Sequence, residues 1–279
     1  MRLLLILITF LSASPAFAWG AFGHETIAGI AQASVSSRTR GEIDRLLRAW
    51  PSVETPTCPL KTLADASVWP DCVRGLGVRF DYTSSWHYQN VDICKPFDLK
   101  AACKDGNCVS RQIDRAVKLL ADKSIPPRER LMALAFLTHF VGDLHMPLHG
   151  GDRGDRGGND VKAAYGVVEG RMNLHWLWDG PLAERAISTP PASVSGLLAG
   201  MNTGERAQLS AGTPEDWSRE SWGVAHDIAY TAALGDPCGP VPPRTSLDDA
   251  AIARSISPTR SQIVKAGLRL ARLLDEALR

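Results

Sequence analysis

Apolar residues recur at three- and four-residue steps through most of the chain, the spacing of helices with one buried face. Ile27–Ala33 predicts a first helix. Arg40–Ala49 predicts a second, with Ile43, Leu46 and Leu47 on one face and a stop at Pro51. Pro51, Pro56 and Pro59 make residues 51–60 a loop. Arg111–Asp122 is amphipathic, and Pro126-Pro127 opens a helix running into Thr138-His139-Phe140-Val141-Gly142-Asp143. Pro147 should break that helix, because proline has no N–H to donate and its ring clashes with the preceding turn. Asn173–Trp178, Pro214–Leu234 and Thr259–Leu278 predict further helices, the last with a strongly apolar face. Val161–Arg171, with Val167-Val168 between flanking glycines, predicts a short β-hairpin. Gly150–Asn159 and Pro240–Arg244 read as irregular. No repeat and no separating linker is visible, so the pattern predicts a mainly α protein, one helical domain over residues 19–279.

Residues 1–18 fall outside that domain. Arg2, the apolar run Leu3–Leu11 and then Ala16-Phe17-Ala18 read as a secretory signal with an A-x-A cleavage site. The run is too short to span a bilayer. The expectation is therefore cleavage after Ala18, residence in the periplasm or outside the cell, no membrane anchor, and a free α-amine on Trp19. Export also frames the six cysteines, Cys58, Cys72, Cys94, Cys103, Cys108 and Cys238, as disulfide partners rather than thiol catalysts. Cys103 and Cys108 flank the turn-rich Lys104-Asp105-Gly106-Asn107 and are expected to pair. The other pairings stay open.

Composition adds little: 44% hydrophobic and 22% charged residues are ordinary for a soluble globular protein. Net charge is more informative. Losing Arg2 with the leader takes Lys+Arg from 31 to 30, against 30 Asp+Glu. A near-neutral chain offers no long-range field for nucleic acid. Bound divalent cations, however, would add local positive charge that this count omits.

Candidate chemistry is concentrated in Thr138–Gly158, which holds three of the chain's seven histidines and three aspartates. His139 and Asp143 are spaced i, i+4 and share a helix face, so both can point at one ion. The break at Pro147 presents His149 from another direction. A second i, i+4 pair, His175 and Asp179, lies in Asn173–Asp179. Imidazole and carboxylate without thiolate suit zinc at a hydrolytic site. His87 sits between Trp86 and Tyr88, and His24 lies five residues after Trp19. His145 is off the shared face and reads as supporting rather than ligating; His226 reads as a surface or hydrogen-bonded core residue, and Asp152 and Asp155 as solvated loop residues.

Several motifs occur in a fixed order: W-G-x-x-G-H at Trp19–His24, W-P-D-C-V-R at Trp69–Arg74 and W-H-Y at Trp86–Tyr88. They continue with H-F-V-G-D-L-H-M-P-L-H at His139–His149, G-G-N at Gly157–Asn159 and N-L-H-W-L-W-D at Asn173–Asp179. In these the chain resembles the S1/P1 nuclease family of secreted zinc-dependent nucleases over nearly its whole mature length. The resemblance implies a helical scaffold, shared with zinc phospholipases C, and three Zn2+. Asp71, His87, His139 and Asp143 would hold one ion. The Trp19 amine and carbonyl, His24 and Asp143 would hold a second, and His149, His175 and Asp179 the third.

It further implies an endonuclease on single-stranded DNA and RNA that leaves 5′-phosphates and acts on 3′-nucleotides, and a monomer is expected. Asp143, Arg74 and Asn90 take the catalytic roles; Tyr88, Arg74 and Asn90 contact the substrate, Tyr88 as a stacking platform. Two positions depart from the family pattern. Asn90 stands where fungal members have aspartate, and Trp69-Pro70-Asp71 replaces the usual W-A-D, which leaves Asp65 as an alternative to Asp71. The rival readings are a zinc-dependent phospholipase C, whose last ligand is typically glutamate rather than Asp179, and a non-catalytic secreted metal-binding protein.

Overall fold

The protein is described by a computed structural model over residues 19–279; the expected leader, 1–18, and its cleavage lie outside the described residues. Helix α1 (Ala21–Ser34) begins directly after Gly20 and buries Gly23, His24, Ile27, Ile30 and Ala31 along one face. It therefore starts six residues before the predicted Ile27. Ser36 caps α2 (Ser37–Leu47) by accepting the Thr39 N–H. No helix is expected from sequence at Leu63–Arg74, yet the chain forms α3 there, with Pro70 inside it. A capping box starts it: the Thr62 hydroxyl accepts the Asp65 N–H (2.9 Å) and Asp65 Oδ2 accepts the Thr62 N–H (3.0 Å). Asp65 is thus engaged as a cap, which rules it out as an alternative to Asp71.

A 3-10 turn (Asp81–His87), the short strand β1 (Val91–Asp92) and α4 (Leu99–Ala102) lead to the amphipathic α5 (Val109–Ala121). Then comes α6 (Pro127–His145), the centre of the molecule. Every one of its residues from Ala133 to His145 is buried, as befits a helix enclosed on all sides. It packs against α1, α3, α5 and the C-terminal α14. The predicted break is present: Pro147 opens the separate turn α7 (Pro147–Gly150), followed by β2 (Gly151–Asp152), which pairs in parallel with β1.

The predicted hairpin is reduced to two antiparallel bridges, Lys162 with Asn173 and Tyr165 with Val168. Its regular strand, β3 (Ala163–Tyr165), pairs instead in parallel with β4 (Thr245–Leu247). Helix α8 (Leu174–Leu177) passes through a wider π turn (Trp178–Leu182) into α9 (Ala183–Ser188); α10 (Ser193–Leu197) and α11 (Thr203–Ser210) follow. Helix α12 (Pro214–Val224), a π turn (Ala225–Tyr230) and α13 (Thr231–Leu234) fill the predicted helical stretch without interruption. Finally α14 (Asp249–Ala277) begins ten residues before the predicted Thr259. Pro258 lies inside it. A proline there removes one hydrogen bond, but a 29-residue helix with a continuous buried face absorbs that loss.

The buried side chains of nearly all these elements form one contiguous core. Three disulfides, Cys58–Cys72, Cys94–Cys238 and the expected Cys103–Cys108, use all six cysteines. No helix among the described residues is long and apolar enough to cross a membrane.

Candidate metal centre and substrate groove

The central helix presents His139 and Asp143 one turn apart, both fully buried, and three other elements converge on them. From α1 comes His24, with Nε2 3.4 Å from Asp143 Oδ1. His87, at the end of the 3-10 turn, places Nδ1 3.0 Å from Asp143 Oδ2, and His139 Nε2 lies 3.1 Å from the same oxygen. Asp71 closes the group from α3, its Oδ1 3.7 Å from both rings. Asp143 thus faces two groups with two different oxygens. One group is His24, His139 and Asp143; the other is Asp71, His87 and His139.

A third group lies alongside, made of His149 on α7, His175 on α8 and Asp179 in the π turn that follows. Their spacing is tight: 3.2 Å between the two Nε2 atoms, and 3.3 Å from His175 Nε2 to Asp179 Oδ2. Both rings are fixed from behind. His149 Nδ1 donates to the His87 carbonyl (2.7 Å) and His175 Nδ1 to the Gly157 carbonyl (2.6 Å). His139 Nδ1 is bound in the same way to the Ser67 carbonyl (2.7 Å). Gly157 must be glycine to do this. Its φ is +61°, and a Cβ would sit 2.2 Å from the Leu148 carbonyl oxygen.

These hydrogen bonds decide what the groups can bind. With Nδ1 protonated and donating, the Nε2 atoms of His149 and His175 carry lone pairs that point at each other across 3.2 Å. Burial also depresses these rings, His149 to about 3 and His175 to about 4, so both are neutral at pH 7. Only a cation relieves two facing lone pairs. Burial, followed by the charges of Asp143 and Asp71, pushes Asp179 well above the usual carboxylate range, again a demand for positive charge. Burial lowers His139 too, but Asp143 and Asp71 outweigh it and raise the ring to about 9. His24 Nδ1 and Nε2, His87 Nε2, Asp143 Oδ1 and Asp179 Oδ1 are buried without a hydrogen-bond partner. Orphaned polar atoms in this number are far from ordinary in a folded core. All three groups fit resident metal ions.

Over the third group opens a groove of about 240 Å³, lined in part by Arg74, Tyr88, Asn90, Arg156 and Asn159. Arg74, Tyr88 and Asn90 therefore share one surface with His87, His149 and His175. Arg74 Nη1 lies 3.2 Å from Asp71 Oδ1, so the guanidinium borders the ligand cluster while remaining partly solvated. Tyr88 is 41% exposed. Asn90 has φ +49°, a left-handed conformation that asparagine accepts more readily than most residues.

The remaining candidates fall elsewhere. His145 is buried, donating to the Val141 carbonyl and accepting from Arg269 (2.8 Å), and takes no part in the three groups. His226 is half-buried and pairs with the exposed Asp227. Asp152 and Asp155 differ from the solvated loop expected of them. Asp155 is buried and accepts the Tyr230 hydroxyl (2.6 Å) and the Gly158 N–H, while Asp152 Oδ1 accepts the N–H groups of Asp155 and Gly157. The glycine-rich loop folds back under the π turn that carries Tyr230, and the carboxylates of Asp152 and Asp155 are engaged by main chain and phenol. The sequence singled out Asn159 only as the last residue of the G-G-N motif, and Arg156, directly before that motif, not at all.

Trp19 is fully buried, and the next residue ties the start of the described chain to the third group: Gly20 N–H donates to the Asp179 carbonyl (2.7 Å). Comparison with known proteins agrees with this geometry. The S1/P1 Nuclease family model matches residues 19–279. The chain is 28% identical to Endonuclease 3 of Arabidopsis thaliana over 280 residues, covering 93% of this chain and 89% of that protein. It is 29% identical to Nuclease S1 of Aspergillus oryzae over 217 residues, covering 76% and 69%. With Nuclease P1 of Penicillium citrinum it shares 28% over 173 residues, covering 61% and 60%.

Proposed function

The chain belongs to the S1/P1 nuclease family, and from that premise we propose that it is a zinc-dependent endonuclease. Its substrates are single-stranded DNA and RNA, its products carry 5′-phosphates, and it also acts on 3′-nucleotides. The observation that carries this reading is the convergence of eight His and Asp side chains, several with unpartnered buried atoms, beneath a groove bordered by a guanidinium.

Bound zinc ions would supply Lewis-acid polarisation of the phosphate and a nucleophile from water at neutral pH. The first would be held by Asp71, His87, His139 and Asp143, the second by His24, Asp143 and the Trp19 amine and carbonyl, and the third by His149, His175 and Asp179. Asp143 joins the first two positions by offering one oxygen to each side. Arg74 meets the anionic phosphate from the rim, where its charge is only partly offset by Asp71. Tyr88 offers an exposed ring for the base of an unpaired nucleotide, which favours single strands because a paired base cannot leave its stack without cost. Asn90 supplies a neutral hydrogen-bonding side chain at the groove wall, in place of a carboxylate that would repel the phosphate. All these residues come from one chain, and we take the monomer as the working unit. Residues 1–18 act in this reading as an export signal, with 19–279 as the catalytic domain.

The test is to incubate the protein beginning at Trp19 with single-stranded DNA, with and without a chelator, and to identify the new ends. Chelator-sensitive cutting to 5′-phosphates is expected. A zinc-loaded protein that cuts no nucleic acid would overturn the reading.

A further inference from the structure

The bend between α6 and α7 separates Asp143 from His149, and it disturbs the main-chain bonding on either side. A helix leaves its last carbonyls without internal donors, and Pro147 has no N–H to offer them. The N–H groups nearest the break are already engaged. Met146 donates to the Asp143 carbonyl, Leu148 to the Met146 sulfur and His149 to the Met146 carbonyl. The carbonyls of Leu144 and His145 lie in a fully buried stretch and must find donors elsewhere.

Two side chains from far along the chain supply them. Ser221 of α12 donates its hydroxyl to the Leu144 carbonyl. Gln262 of α14 donates from Nε2 to the His145 carbonyl (3.3 Å) and to the Ser221 hydroxyl (3.1 Å). Both side chains are buried. A buried helical hydroxyl commonly bonds the carbonyl four residues back in its own helix, as Ser255 and Thr259 do here. Ser221 instead reaches across to another helix. It also meets the far side of the bend: a Cβ at Gly150 would lie 2.8 Å from the Ser221 Cβ, so α7 rests directly on this residue. One side chain therefore touches the end of the helix that presents Asp143 and the turn that presents His149, and it sits between them as a wedge.

We propose that Ser221, braced by Gln262, is a positioning residue for the third metal: it holds His149 where that ring, His175 and Asp179 can share one ion. The proposal rests on the reading of the three groups as metal sites. Ser221 belongs to none of those groups and does not line the groove above them. It acts through the main chain of α6 and α7. Its loss lets α7 swing against α6, which moves His149 and spares the two groups built around His139.

The test is to titrate the metal-free protein beginning at Trp19 with zinc against a chromophoric chelator, reading the number of equivalents bound and the affinity of each. Ser221→Ala should weaken one equivalent by about 10- to 100-fold, the usual scale for a ligand's support, and leave the other two unchanged. Excess zinc should refill that equivalent. In Asp179→Ala, which already lacks it, adding Ser221→Ala should change nothing further. Gln262→Met keeps the length of the side chain without its N–H groups and should act in the same direction. Ser255→Ala removes an equally buried hydroxyl and should leave all three affinities at their wild-type values. Wild-type affinities in a folded Ser221→Ala overturn the proposal. So does equal weakening of all three equivalents, or the same loss in Ser255→Ala, since either marks a general effect on the fold. If Ser221→Ala does not fold, Gln262→Met decides by the same readings, and failure of both to fold overturns the proposal as well. A wild-type protein that binds fewer than three equivalents overturns the metal reading itself, and the proposal with it.

Discussion

Gly142 makes room for His24. A Cβ at position 142 would lie 2.7 Å from His24 Nδ1 and 2.8 Å from Cε1, so the imidazole rests directly on the backbone of the residue before Asp143. The ring reaches Asp143 only because α6 has no side chain at this point. Gly142→Ala should push His24 away, lower metal content and reduce cleavage by about 10- to 100-fold, the usual scale for disturbing a ligand's support. Overpacking should cost about 1–3 kcal/mol of stability. Metal analysis and thermal melts of the same preparation check both; full metal content with unchanged activity would contradict the close packing.

Asp143→Ala removes the carboxylate that His24, His87 and His139 all approach. Cleavage should be abolished, and more than one metal equivalent should be lost, because the side chain belongs to two positions. Metal counting distinguishes this from Asp179→Ala, which touches only the third group and should cost a single ion.

Metal binding should be linked to protons with a definite sign. Without a metal, His139 titrates at about 9, because Asp143 and Asp71 more than offset the effect of burial. At pH 7 a metal must therefore displace a proton from this ring. Apparent metal affinity should climb by up to about tenfold per pH unit as pH rises towards 9, then level off. Competition with a chelator at several pH values measures the slope, and a flat profile would contradict the placement of His139 between two carboxylates.

Asp155 makes a prediction about stability alone. Burial, only partly offset by the Tyr230 and Gly158 hydrogen bonds, pushes its carboxyl up to about 6. With the folded value above the unfolded one, the native state holds the extra proton between about pH 4 and 6. Stability from this group is fully present below about pH 4 and is lost as pH rises through 6. Asp155→Asn keeps an oxygen to accept from Tyr230 and Gly158 while removing the charge. The variant should be about 1–2 kcal/mol more stable than the wild type at pH 7, with the difference vanishing near pH 4. Denaturant melts of both proteins at the two pH values decide it.

Much of this was legible in the chain, and the exceptions have physical causes. The i, i+4 spacings of His139 with Asp143 and of His175 with Asp179 already placed each pair on one face, because a helix turn repeats whatever surrounds it. Pro147 ended the central helix as its missing N–H requires. Not legible were α3 and the first ten residues of α14; Pro70 and Pro258 lie inside these helices, where packing outweighs the loss of a hydrogen bond. Asp155 was misread because a glycine-rich stretch of aspartates looks solvated until a distant tyrosine folds over it. Nor does local spacing carry the approach of His24 to Gly142, the pairing of Cys94 with Cys238, or the reach of Ser221 to the Leu144 carbonyl. Those are contacts between residues far apart in sequence, set by how the helices pack.

The tie between Gly20 and Asp179 also orders events in time. A ribosome makes the chain from one end, and the groups draw on residues scattered from His24 to Asp179. The two groups that use His139 lack a member until that residue has been made, and the third stays incomplete until Asp179 has been made. The start of the domain meanwhile has no Asp179 carbonyl to dock against. More than half the polypeptide must therefore exist before the site can close. Until then the nascent chain lacks the completed set of ligands.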